Sequence, residues 1–425
     1  MALRLSARSR TLASFNAPGF GLFCVHSTFA AVETVGMAVH AWLVLELSND
    51  SEVWIGIFAL LVGTGQLFSS MLSGSIVDRF QRKNVLLIEG TIGAIIACGL
   101  AIATALEVAT LQLVIGIAPV IGVLRGIHFT AGNRFVYDLV GPRLLVNGIS
   151  MWRISAAPMM IIGALLAGAL IEWIGIDAAY GFVGASLLLG LPLLAMISAG
   201  GEVHQSDSNL MRQTVEGLRY AATDKSMRTL FLMSIVMEML GFSFIVMVPV
   251  MAKTVLNVGG LGLGSLQAGM GLGMLVAALV MAAWGDSPNK PRVIIVNALA
   301  AGVTLIGFAI SRSLILSIFL AMAMMAFMMA YDLTLGALMQ LVAPPHLRGR
   351  AVSLHSLAVS FTSLGGFTMG VIGSILGVPL VLAIGGAGII LNALARRPAL
   401  LTIKECANVP PIKSPSHLHD SRNQD

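Results

Sequence analysis

Charge is scarce in this sequence. Of 425 residues, 25 are Lys or Arg and 20 are Asp or Glu, 11% together. A soluble globular chain carries about a quarter, so a water-soluble domain is excluded. Cysteine is scarcer still. Cys24, Cys98 and Cys406 are odd in number, show no ligand spacing, and two of them sit inside apolar runs. That excludes a disulfide framework and a metal site, and no cofactor is expected. No phosphate-binding G-x-x-x-x-G-K-[ST] loop occurs, so ATP drive would need another subunit. Also missing are polar loops with His/Asp or Glu/Asp clusters, which a membrane acyl or glycosyl transferase would need. An enzyme is therefore not expected.

What is present is apolar. Hydrophobic residues make up 57%, the mean hydropathy is +0.91, and 46 glycines suit helices packed closely in a bilayer. The chain reads as a polytopic membrane protein with lipid as its partner. Its formal net charge of +5 belongs to loops, so nucleic acid is not expected. A basic start (Arg4, Arg8, Arg10) precedes an apolar stretch from Pro18 to Leu45. That stretch is too long for a cleaved signal and reads as the first span.

A span needs about 20 apolar residues, and the pattern predicts twelve. They lie near 18–46, 54–77, 85–107, 110–134, 147–171, 178–199, 229–252, 265–284, 293–311, 314–342, 351–376 and 378–395. The expected fold is all-α: twelve transmembrane helices in two pseudo-symmetric six-helix halves, 18–199 and 229–396. Residues 1–17 form an N-terminal segment, 200–228 a polar linker, and 397–425 a tail expected to be disordered. Apart from Lys253 and Arg312, and from Arg125 and Arg153 inside spans, every Lys and Arg falls in a terminus or an even-numbered loop. That asymmetry predicts both termini in the cytoplasm.

The loop after span two reads Gly74-Ser75-Ile76-Val77-Asp78-Arg79-Phe80-Gln81-Arg82-Lys83. Its Gly74, Asp78, Arg79, Arg82 and Lys83 resemble the G-x-x-x-D-R-x-G-R-R/K loop of major facilitator superfamily transporters; Gln81 stands where that family usually has glycine. The halves also repeat. Leu139–Leu145 matches Leu341–Leu347 at an offset of 202, which also carries Gly163 to Gly365 and Gly168 to Gly370. The stretch from Arg134 to Ser150 resembles the branch that includes macrolide and siderophore exporters. In that branch span five usually carries G-P-x-x-G-G. Here Ala164 replaces the proline in the run from Gly163 to Gly168. The resemblance implies a monomer in a prokaryotic cell membrane, a conformational role for the loop and helix packing for the glycines.

Charges inside a span are expensive, roughly 2.5–3.5 kcal/mol at the bilayer centre, so those present are candidate functional groups. Glu33 lies in span one with His26 and His40 seven residues to either side. Arg125 and His128 share a face of span four; Glu238 is in span seven and Asp332 in span ten. Glu89, Arg153 and His355 lie within two turns of a cytoplasmic end, where a side chain can snorkel. Glu46, Asp50, Glu52, Glu107, Glu172 and Asp177 are expected to be solvated at the other face. The resemblance implies that spans one, four, seven and ten line a central cavity, and each carries such a group. The alternative for each is an internal ion pair that fixes helix packing.

The function expected is a secondary transporter exporting small amphipathic molecules in exchange for protons, with Glu33 as proton carrier and Arg125 as its partner. An uptake symporter of the same fold and a non-transporting membrane sensor are the alternatives.

Overall fold

The computed structural model describes residues 12–198, 218–284, 289–344 and 347–403; within these, the side chains of 70–79, 142–143, 146, 282–284 and 348–349 are not described. The described residues are helical and contain no strand. Twelve helices are long and apolar enough to cross a membrane. They are α1 Phe20–Leu47, α2 Glu52–Ser69, α3 Arg82–Ala105, α4 Leu111–Gly141, α5 Asn147–Trp173, α6 Ile176–Ala195, α7 Lys225–Val255, α8 Gly260–Met281, α9 Lys290–Ile310, α10 Leu314–Val342, α11 Arg350–Leu376 and α12 Val378–Ile403. The helix of α2 continues to Arg79.

Helix starts follow local chemistry. The Asp224 carboxylate accepts the Met227 N–H at 2.7 Å, which caps α7 four residues ahead of the expected start at 229. Thr110 caps α4 in the same way through Leu113. The short turns after α1, α3 and α7 close through left-handed residues: Asn49, Asp50, Glu107 and Asn257. After α5 and α11 the positive φ is taken by Gly175 and Gly377, where a side chain would be strained.

Other boundaries differ from the expectation too. Helix continues from α4 into α5, broken only at Gly141 (φ 70°, ψ 176°), so residues 134–147 form no open loop. Helix α12 runs to Ile403, past the expected limit at 396, and Arg396 Nε donates to Asn392 Oδ1 at 2.8 Å along it. The linker region 199–217 and the tail from 404 lie outside the described residues, while 218–223 are helical.

Packing rests on glycine. Within the first six helices, Gly122 and Gly126 of α4 meet Val62 and Ser69 of α2, and Gly184 of α6 meets Cys98 of α3. Equivalent seams in the second six join Gly273 of α8 to Met322 of α10, and Gly302 of α9 to Gly386 of α12. The two groups of six meet along α5/α8 and α2/α11. There Gly168 faces Gly260 and Gly264, and Gly370 faces Glu52 and Gly56. Gly163 lies by Met159 and Val35, and Gly365 by the Met239 backbone, so the pairs related by the 202-residue offset occupy matching places. Backbones this close leave no room for a Cβ, and van der Waals contact drives helix association in lipid.

Candidate functional site

Three helices of the first half bring one acid–base cluster together. Glu33 comes from α1, two residues after the helix breaks at Ala31. Glu89 comes from α3 and His128 from α4, and His128 Nδ1 lies 3.1 Å from Glu89 Oε2. One ligand atom from each of Glu33, Glu89 and His128 lies within 4.8 Å of the others. Glu89 is buried, 3% exposed, and its Oε1 takes no hydrogen bond. A proton on Glu33 therefore has an acceptor at hand.

Glu89 corrects the expectation. It does not snorkel to the membrane face but anchors the cluster. The signal was helical spacing: Gly93, Ile96, Ala97 and Leu100 follow it on one face of α3, and that face lines a cavity. The cavity is enclosed by α1, α3, α4 and α6, and Glu33 and Arg125 both line it. The expected partners thus share a cavity inside the first half, rather than one between the halves. Arg125 is within electrostatic range of Glu33, but the two form no ion pair.

His26 and His40 are occupied elsewhere. His26 Nδ1 lies 2.9 Å from the Gly190 carbonyl. His40 Nε2 lies 3.0 Å from the Val114 carbonyl, and the Tyr180 hydroxyl lies 3.0 Å from His40 Nδ1.

The second half has its own polar set. Glu238 is 4% exposed, sits in a π-helical turn spanning Met237–Phe242, and accepts a hydrogen bond from Thr362 of α11. Such turns often mark functional positions. Asp332 Oδ1 lies 3.3 Å from His355 Nε2, and Ser234 Oγ is 3.5 Å from His355 Nδ1. His355 is therefore a partner of Asp332, not a snorkelling group. Tyr331 beside it donates to the Met233 carbonyl at 3.0 Å. Arg153 is exposed, rests over the Phe129 ring at 5.4 Å and is within electrostatic range of Asp332. The structure thus gathers Glu33, Arg125 and His128 in one half, and Glu238 and Asp332 in the other.

Of the loop motif, Gly74, Asp78 and Arg79 lie outside the described side chains. Arg82 is 3.7 Å from Asp138 at the end of α4. Lys83 donates to the carbonyls of Ala195 and Ile197 at 2.8 and 2.7 Å, capping the end of α6. Both cations are held within the first half. At the opposite end, Lys253 of α7 pairs with Asp50 at 2.7 Å and lies 5.5 Å from the Trp42 ring. Asp50 therefore joins the halves while remaining 45% exposed. Trp42 donates to Glu46 at 2.7 Å.

Glu33, Glu89 and His128 are also the described residues placed to share a metal ion. Donors on a zinc ion sit at about 2.0–2.2 Å from it, hence no more than about 4.4 Å apart. Here His128 already engages Glu89, and the Arg125 cation is close by. The arrangement suits protons better than a metal.

Among solved structures, a mutant of nucleoside transporter NupG is similar at 14% identity and TM-score 0.70, covering 90% of this chain and 98% of that one. A D-xylose-proton symporter is similar at 15% identity and TM-score 0.67, covering 90% and 96%. A mutant of the peptide transporter POT, solved with alafosfalin, is similar at 12% identity and TM-score 0.71, covering 93% and 99%. At these identities the likeness shows the fold. No curated protein sequence matches. The Major Facilitator Superfamily model matches residues 21–367, reaching from the first helix of one half into the eleventh helix of the other. Over that extent the match settles the family: this integral, multi-pass chain belongs to the Major Facilitator Superfamily.

Proposed function

We propose that the protein is a secondary transporter that couples the movement of a small amphipathic molecule to protons. The supporting observation is the Glu33–Glu89–His128 cluster, with a ligand atom of each inside 4.8 Å of the others. Two ionised carboxylates at that distance repel by about 3–4 kcal/mol at an effective dielectric of about 20. One proton on the pair removes that repulsion. If the halves rock about their seams, water access to the cluster changes, and with it the proton occupancy. Glu33 is the carrier in this reading. Glu89 and His128 hold the charge balance when the proton leaves, and Arg125 supplies a nearby positive field.

Export is the direction favoured by the resemblance of residues 134–150 to the exporter branch. Uptake symport is the second reading, favoured by the similar structure of a D-xylose-proton symporter. The distribution of Lys and Arg supports cytoplasmic termini in a cell membrane.

The test is flux of amphipathic compounds in inverted vesicles under an imposed pH gradient. Wild type is expected to respond to the gradient, and Glu33→Gln to transport without that response. An undiminished response in Glu33→Gln would move the role to Glu238 or Asp332.

A further inference from the structure

The cavity in the first half carries more than a proton site. Its polar groups can be accounted for one by one. The Tyr180 hydroxyl and both ring nitrogens of His40 are engaged, with each other and with the Val114 carbonyl. Glu33 belongs to the carboxyl–imidazole cluster. That leaves Arg125. Its guanidinium lines the cavity but makes no hydrogen bond or ion pair among the described residues. Arginine carries five N–H donors and no acceptor, in a fork that matches a carboxylate. A half-buried guanidinium with idle donors in a mostly apolar wall favours an occupant that supplies acceptors and negative charge. The remaining wall is aliphatic, with Met37, Leu100, Leu124 and Leu187 among its residues.

We propose that this cavity binds an amphipathic monocarboxylate, its carboxylate on Arg125 and its apolar body against the aliphatic wall of α1, α3, α4 and α6. As a statement about what is transported, this rests on the transport reading above; as a statement about binding, it does not. Glu33 and the bound carboxylate compete for the same cation. When Glu33 is protonated, the ligand's charge replaces the one Glu33 gave up, and the net charge of the cavity is unchanged.

The experiment measures binding, without transport, to the full-length protein in nanodiscs of zwitterionic lipid. The probes are octanoate, octanol and octylamine, which share one chain and differ in head group. Wild type is expected to bind octanoate at least tenfold more tightly than either of the others. Arg125→Gln should lower octanoate affinity roughly ten- to a hundredfold, the range for hydrogen bonds to a charged group, while octanol is little affected. Octanol or octylamine binding as tightly as octanoate to wild type would overturn the proposal, and needs no variant to fold. A second set of nanodiscs contains anionic phospholipid. Octanoate binding that persists there supports a free carboxylate; binding abolished by the lipid would assign Arg125 to a headgroup and overturn it. Selective binding without flux under a pH gradient would leave this site standing and sink the coupling reading. Gradient-driven flux of other compounds, with no octanoate binding, would do the reverse.

Discussion

Lys253→Met tests whether the halves are latched at the end opposite the basic loops. Lys253 Nζ is 2.7 Å from Asp50 Oδ1, and the two side chains are 25% and 45% exposed. An ion pair this open to solvent contributes about 0.2–1 kcal/mol. The Trp42 ring, 5.5 Å from the same ammonium, adds about 0.5–1 kcal/mol at an exposed site. The sum is about 1 kcal/mol. Met keeps the length of the stem, so loss of packing is minimised. If conformations open at this end make up about 10% of the population, a shift of about 1 kcal/mol raises them to about 35%. Spin labels at Leu106 and Ile310, exposed at that end of α3 and α9, would report the distance between the halves. A longer-distance population should grow in Lys253→Met at low ionic strength. Wild type should approach the variant near 1 M salt, where the Debye length is about 3 Å. An unchanged distance distribution at low salt, or a difference that salt does not diminish, would refute the latch.

Other outcomes follow from the same geometry. Glu89→Gln removes the charged partner of His128 from a buried site, so the protein should lose about 3 kcal/mol of stability; thermal unfolding in detergent would measure it, and an unshifted midpoint would return Glu89 to a solvated role. Gly168→Val places a Cβ against Gly264, whose Cα would lie 2.9 Å away, and should disturb the α5/α8 seam by about 1–3 kcal/mol. Flux should fall further than abundance, and equal losses would make the seam merely structural. Reporter tags at Val108 and Phe80 should report opposite sides of the membrane, and a shared side would break the twelve-span topology.

The twelve spans were legible because lipid forces each to be about 20 apolar residues long, whatever its neighbours. Their ends were less so. Asp224 starts α7 early through a cap, and Gly141 lets one helix continue from α4 into α5 where a loop was expected. Rotation about each axis was the largest gap. In a soluble helix the polar stripe gives the phase. These helices are apolar nearly all round, so the sequence names Glu33 and Arg125 without showing which neighbours they face. The resemblance implied that they line a central cavity shared with spans seven and ten. The structure turns them towards α3 and α6, where Glu89 waits. His355 was misread for the same reason: nearness to a helix end says nothing of the Asp332 carboxylate on the adjacent helix.

Each half holds its own carboxylate–imidazole pair: Glu89 with His128 in one, Asp332 with His355 in the other. What passes between the halves is mainly glycine backbone contact along α5/α8 and α2/α11, which has no hydrogen bonds to break when the helices slide or tilt. Electrostatic links are added to it. Asp50–Lys253 is a direct pair at the end opposite the basic loops, while Arg153 feels Asp332 at longer range, nearer the basic end. Tilting the halves to open one end brings the other end together. If tilting closes that end, the Arg153–Asp332 attraction is expected to grow as the Asp50–Lys253 pair is lost. Because Asp332 is already engaged by His355, the strength of the Arg153 link depends on whether that imidazole carries a proton.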